Sequence, residues 1–125
     1  MSPSATDRSA ELSVDPATVE QWIAAGSASP ATQAQVVDVR EPYEREAGHI
    51  AGSLHVELVR LPAHEQEIDR ARPVVFYCRV GARSLMAAQA FRAAGFDAYT
   101  MDGGLLRWAR EGRALSPEDG HVAEH

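Results

Sequence analysis

Apolar residues fall into two alternating patterns along this chain. Short continuous runs, rich in valine, are separated by stretches whose apolar positions recur at three- and four-residue spacing. Leu12 and Val14 sit on alternate positions and predict a short edge strand. Asp15 followed by Pro16 predicts a helix start, with a capping carboxylate and then proline at the first helical position. Val19, Trp22 and Ile23 share one face of that helix, and Gly26 ends it. Gln35 to Val39 reads as a buried strand running into Arg40-Glu41-Pro42. Tyr43 to Ala47 predicts a short helix, Leu54 to Val56 another short strand, and Pro62 to Ile68 a weak helical pattern. Val74-Val75-Phe76-Tyr77-Cys78 is the strongest strand signal, unbroken as central parallel strands are. Arg79 to Arg83 reads as a loop, and Ser84 opens a helix through Ala94 with Leu85, Ala88, Phe91 and Arg92 in register. Phe96 to Thr100 predicts a strand. Gly103-Gly104 then precedes a helix carrying Leu105, Trp108 and Ala109, closed by Gly112.

Strands alternating with helices predict an α/β fold of three layers, a central, mainly parallel sheet flanked by helices. In such folds ligands sit beyond the carboxyl ends of the strands. Residues 1–10 are expected to form a disordered N-terminal tail, 11–115 the folded domain and 116–125 a mobile C-terminal tail.

Composition narrows the function. The 125 residues suit one domain with a real core. Hydrophobic residues make up 45% and charged residues 24%, as in a soluble globular protein. The net charge of -6 argues against nucleic acid, which requires a basic surface. All 12 basic residues are arginine. No apolar window is long enough for a membrane span, and the first residues lack the apolar core of a signal peptide, so a cytoplasmic location is expected. One cysteine, Cys78, permits no internal disulfide.

Cys78 stands where the strongest strand meets a helix. The helix start offers unpaired N–H groups and a partial positive charge. The loop Arg79-Val80-Gly81-Ala82-Arg83-Ser84 can curl into an anion-binding nest, with Gly81 supplying a backbone angle that side chains disfavour. Arg79 and Arg83 add positive charge. All of this favours a reactive thiolate and an anionic ligand. The lack of a second cysteine excludes a thioredoxin-like mechanism. His49, His55 and His64 show no ligand-like spacing with Cys78, and His121 and His125 fall in the expected tail, so no metal site and no cofactor are expected.

Four segments, in order, resemble the single-domain rhodanese family of thiosulfate sulfurtransferases. Asp38-Val39-Arg40-Glu41 resembles its early D-V-R-E segment. Gly48-His49-Ile50-Ala51-Gly52-Ser53 resembles G-H-I-x-G-[AS], with alanine where proline is common. Cys78 to Ser84 resembles the active-site loop C-R-x-G-x-R-S, and Asp102-Gly103-Gly104 with Trp108 resembles the closing G-G-x-x-x-W. The resemblance runs from about Leu12 to Gly112 and implies a rhodanese-like fold. It also implies that Cys78 takes sulfane sulfur from thiosulfate or a persulfide donor and passes it to cyanide or a thiol, by a ping-pong route through a cysteine persulfide. Backbone N–H groups from Arg79 to Ser84 would steady the persulfide, and Arg79 and Arg83 would hold the anionic donor.

Asp38 and Arg40 both stand at the end of a central strand, where they could face the site; structural support is the expected role of both, with Arg40 pairing with Glu46 or Glu41. His49 is expected to fix a turn, and Gly103 and Gly104 to permit close backbone approach. Two other readings stand beside this one. A persulfide carrier or docking module would deliver sulfur to a partner protein. Phosphatases and arsenate reductases of the same fold use Cys-x5-Arg. The spacing here is Cys-x4-Arg, and the shorter ring suits a sulfur atom better than a phosphoryl group.

Overall fold

The unbroken apolar run after Pro73 forms a strand whose two faces organise the molecule. The computed structural model describes residues 12–26 and 33–125, so the expectation for residues 1–10 lies outside it. In chain order the elements are β1 (Ser13–Val14), α1 (Pro16–Gly26), β2 (Gln35–Asp38), α2 (Pro42–Ala47), β3 (Leu54–His55), a 3-10 helix (Leu58–Glu67), β4 (Val74–Tyr77), α3 (Ala82–Ala93), β5 (Ala98–Met101) and α4 (Gly104–Arg110). The sheet order is β1-β5-β4-β2-β3 and every pairing is parallel. All carboxyl ends therefore point the same way.

Strand alternation divides the core in two. Val74, Phe76 and Cys78 face α3 and the 3-10 helix, packing with Ala87, Ala88, Phe91 and Leu61. Val75 and Tyr77 face the other way, packing with Val19 of α1 and with Leu105 and Trp108 of α4. Each fully buried Val or Phe contributes about 1.5–3 kcal/mol. The Phe91 ring lies 5.0 Å from Phe76 and 4.8 Å from Phe96, centroid to centroid. At the start of α1, the Asp15 carboxylate accepts the Thr18 N–H at 2.9 Å, the cap that the Asp-Pro pair predicts.

Three features differ from the sequence pattern. Helix α3 begins at Ala82, two residues before Ser84, because Gly81 takes a φ of 115° and acts as its N-cap. Leu85 is 36% exposed, since the buried stripe is Ser84, Ala87, Ala88 and Phe91, and Leu85 lies a third of a turn off it. The segment around Pro62 is a 3-10 helix starting at Leu58, with Pro62 inside it; proline supplies no N–H for an α-helical ladder there.

Residues 116–125 carry contacts that their polar composition did not suggest. Ser116 and His49 exchange backbone hydrogen bonds of 2.8 and 2.9 Å, and the His121 N–H donates to the Ala47 carbonyl at 2.8 Å. Val122 packs against the Trp108 side of the core. The Tyr43 hydroxyl donates to the Glu124 carbonyl, and His125 Nε2 lies 3.0 Å from Glu41. The segment thus runs along α2. Among the described residues, no helix is long and apolar enough to cross a membrane.

Candidate active site

Cys78 follows β4 directly, at the carboxyl end of the central strand, and is 1% exposed. Its Sγ accepts the Gly81 N–H at 3.1 Å and the Ser84 N–H at 3.5 Å, with the Ser84 hydroxyl also at 3.5 Å. Gly81 caps α3 and Ser84 is its third residue, so both N–H groups belong to the set a helix start leaves without internal partners. Starting α3 two residues early is what brings the Ser84 N–H onto the sulfur.

The far side of the loop is held by α4. Leu105 N–H donates to the Cys78 carbonyl at 2.8 Å, and Leu106 N–H to the Arg79 carbonyl at 3.0 Å. This approach depends on Gly104. Its φ is +61°, and a Cβ there would stand 2.4 Å from the Arg79 carbonyl oxygen. Gly103 precedes it at φ 75° as the N-cap of α4. A cavity of about 260 Å³ flanks the loop, bordered by Val80, Ala82, Leu85, Thr100, Asp102 and Gly103. A second cavity, about 270 Å³, opens at the amino ends of β2 and β3 between Gln35, Leu54 and Arg72, and holds none of these groups.

The two loop arginines part company. Arg83 forks onto Glu44 of α2, Nη1 to Oε1 at 2.8 Å and Nη2 to Oε2 at 3.0 Å. Glu44 is fully buried and also accepts the Glu41 N–H at 3.0 Å. Burial pushes the Glu44 carboxyl up, but the hydrogen bonds from Arg83 and Glu41 outweigh it and hold the group below the usual carboxylate value. The Glu44 bond raises Arg83, and charge on Cys78 adds a smaller share. Arg83 is therefore tied to the scaffold rather than free at the loop mouth. Arg79 has no carboxylate partner among the described residues, and its Nε is buried without a hydrogen bond.

Asp38 and Arg40 close on each other rather than facing the loop. Arg40 donates its backbone N–H (3.0 Å) and Nε (2.8 Å) to Asp38 Oδ1, and Nη2 (2.8 Å) to Oδ2. Nη2 also reaches the Gly48 carbonyl at 2.7 Å. Neither Glu41 nor Glu46 is the partner of Arg40: the Asp38 carboxylate, two residues back, reaches it first. Both side chains are fully buried. Burial works against the Arg40 cation, and the bond to Asp38 more than offsets it, raising Arg40 above its ordinary value. The Tyr77 hydroxyl donates to Asp38 Oδ2 at 3.2 Å and accepts the Ile50 N–H at 3.0 Å. Burial, then the Asp38 charge, pushes Tyr77 up to about 12, so the phenol keeps its proton. His49 Nδ1 lies 3.1 Å from the Arg45 carbonyl, and its backbone pairs with Ser116.

Sequence reading missed Glu44, Tyr77 and Thr100. Thr100 Oγ1 lies 2.7 Å from the Ser84 hydroxyl. Glu44 carries one usable signal: with Glu41 it forms a reciprocal capping box at the start of α2.

Comparison with known proteins agrees with this geometry. Residues 16–111 match the family described as Rhodanese-like domain. An uncharacterized protein of Bacillus subtilis (strain 168), YqhL, is 42% identical over 77 residues; the match spans 61% of this chain and 61% of that relative's length. The crystal structure of a rhodanese-related protein from Thermoplasma volcanium is 27% identical with a TM-score of 0.73, covering 82% of this chain and 95% of that one. The BH2092 protein of Bacillus halodurans, 20% identical, shares the fold with a TM-score of 0.78, over 96% of this chain and 87% of its own. The all-parallel sheet, the cysteine loop at its carboxyl end and the match across residues 16–111 lead to one conclusion: the chain belongs to the rhodanese-like domain family.

Proposed function

We propose that this protein transfers sulfane sulfur through a Cys78 persulfide. The observation that carries the reading is the buried sulfur with the Gly81 and Ser84 N–H groups aimed at it. Such donors stabilise negative charge on a thiolate and on a persulfide alike. The thiol first loses its proton to solvent. The Cys78 thiolate then attacks the outer sulfur of thiosulfate or a persulfide donor. The Sγ–S bond forms, the donor's S–S bond breaks, and its electron pair leaves with sulfite or the donor thiolate. Cyanide or a thiolate acceptor next attacks the outer sulfur of the persulfide. The Sγ–S bond breaks and its pair returns to Sγ, releasing thiocyanate or a new persulfide. No cofactor is needed for the balance. In this reading Arg79, without a carboxylate partner among the described residues, draws the anionic donor, and Arg83 shapes the loop through Glu44.

The test is thiocyanate formation from thiosulfate and cyanide by the wild type and by Cys78→Ala. Cysteine-dependent turnover is expected; no turnover by the wild type would overturn this donor and acceptor pair. A second reading, delivery to a partner protein, draws support from Val80 and Met86, which are 50% and 60% exposed. It predicts that Cys78 persulfide made with a different donor is discharged by a protein thiol faster than by cyanide. The loop spacing speaks against a phosphatase or arsenate reductase: the position where Cys-x5-Arg would put its arginine holds Ser84, and Arg83, one residue earlier, is engaged by Glu44.

A further inference from the structure

We propose that Thr100 is a positioning residue for the Cys78 sulfur, acting through Ser84. The inference rests on the sulfur-transfer reading only where turnover is concerned. Thr100 lies on β5, one strand away from the cysteine loop. Thr100 is 3% exposed, Ser84 0% and Cys78 1%. The three side chains form a line: Thr100 Oγ1 to Ser84 Oγ is 2.7 Å, and Ser84 Oγ to Cys78 Sγ is 3.5 Å.

Each hydroxyl has one hydrogen to give. Ser84 Oγ has three neighbours that could receive its own: Thr100, the Gly81 carbonyl at 3.3 Å, and the cysteine sulfur. When the sulfur is a thiolate or persulfide anion, one arrangement turns both O–H dipoles toward the charge. Thr100 donates to Ser84, and Ser84 donates to Sγ. Hydrogen bonds to an ionised acceptor are about twice as strong as neutral ones, and a donor behind Ser84 polarises it further. With Thr100 giving its hydrogen, Ser84 is barred from donating back to Thr100. The short 2.7 Å contact also fixes the Ser84 oxygen. Without the Thr100 hydroxyl, Ser84 loses the donor that polarises it and fixes its oxygen, and its bond to the sulfur weakens against the competing Gly81 carbonyl. Thr100 touches neither donor nor acceptor in this account; it sets the direction of the bond that does.

Cys78 is the chain's single cysteine, so alkylation by iodoacetamide followed by mass spectrometry reads its thiolate with no background and no sulfur donor. Thr100→Val keeps the β-branched shape and removes the hydroxyl, while Thr100→Ser does the reverse. At pH 7 we expect Thr100→Val to alkylate about fivefold more slowly than wild type, the ratio that matches one ordinary hydrogen bond. Thr100→Ser should stay within about twofold. Because Thr100 acts only through Ser84, the double variant Ser84→Ala/Thr100→Val should be no slower than Ser84→Ala alone. Wild-type rates in Thr100→Val overturn the proposal. So does a Thr100→Ser variant as slow as Thr100→Val, or a further loss in the double variant. Thermal melts check folding, and Thr100→Ala replaces the valine variant if that one does not fold. The expected alkylation pattern in a protein that makes no thiocyanate would overturn the thiosulfate and cyanide pair and leave this inference standing.

Discussion

The carboxyl ends of β2 and β4 lie side by side, with Asp38 and Tyr77 in register, and both bury polar groups. They are finished in opposite ways. At the end of β2, Asp38, Arg40, Tyr77 and the Gly48 carbonyl bond one another, with Arg40 Nη1 the one buried atom of the group left over. At the end of β4, backbone donors converge on a sulfur, and Arg79 has no carboxylate partner among the described residues. Burial and charge alone do not distinguish scaffold from site. What separates them is whether the buried groups are closed among themselves or point at an atom that can react.

The closed end should be the one the fold depends on most. Asp38→Ala strands the fully buried Arg40 guanidinium, and breaking a buried pair from one side costs about 3–5 kcal/mol. That is a large part of a domain's total stability, so urea unfolding should show a midpoint collapsed toward zero denaturant. A loss below about 1 kcal/mol would mean that the pair is not the anchor its geometry describes. Cys78→Ala, at the open end, should by contrast leave the unfolding midpoint nearly unchanged while abolishing sulfur transfer.

Gly104→Ala tests where the two ends meet the scaffold. The left-handed backbone there costs an L-residue about 1–2 kcal/mol, and the new Cβ must also push the Arg79 carbonyl away. The displaced loop would carry the Gly81 N–H off the sulfur. Alkylation of Cys78 should therefore fall about tenfold, a larger proportional change than the stability loss explains. Unchanged reactivity would show that the loop keeps its shape without the α4 contacts.

Glu44 joins the two regions, since it sits on α2 beside the closed network and holds Arg83 of the open loop. Its folded value lies below the ordinary 4.5. A depressed carboxyl stabilises the fold fully above its unfolded value, and that contribution is lost as the pH falls through the folded value. Wild type should exceed Glu44→Gln by about 1.5 kcal/mol at neutral pH, the worth of a hydrogen bond to a charged group. The gap should shrink on acidification below 4.5. A gap that stays constant into acid would assign the effect to shape rather than charge.

Much of the open end was legible because it is contiguous. Strand, glycine turn, arginines and helix start occupy Val74 to Ser84 without interruption, and local patterns report local structure well. The closed end was legible only in part. Asp38 and Arg40 are two residues apart, but which group answers Arg40 depends on side-chain reach, and the third partner, Tyr77, comes from another strand. Glu44 lies 39 positions from Arg83 and Thr100 lies 16 from Ser84; strand register and helix packing bring them together, and no spacing rule encodes either. Leu85 misled because three-residue spacing from Leu85 to Ala88 fits a stripe one residue away from the buried one. The contacts of residues 116–125 were hidden for a different reason: several are made by backbone groups, which every residue carries whatever its side chain.

Those last contacts give the mildest test of the comparison. The C-terminal segment touches the closed side: Ser116 pairs with His49, and the His121 N–H caps Ala47 at the end of α2. A Cβ on Gly48, whose carbonyl serves Arg40, would lie 2.5 Å from the His121 carbonyl oxygen, so the segment packs directly behind that network. Its contacts with α2 meet the loop through the Glu44–Arg83 pair. Removing residues 117–125 withdraws the His121 bond and the Val122 packing, together with the exposed Tyr43–Glu124 and His125–Glu41 contacts, while leaving the Ser116 pairing in place. The expected cost is about 1 kcal/mol, one net hydrogen bond and a partly buried valine offset by the ordering entropy regained. For a chain of this length that lowers the melting temperature by about 3–6 °C. Cys78 alkylation should stay within about twofold of wild type, because a loss of this size at α2 leaves the Glu44–Arg83 pair intact. A large fall in reactivity with little change in melting would reverse the assignment and place the C-terminal segment with the open end.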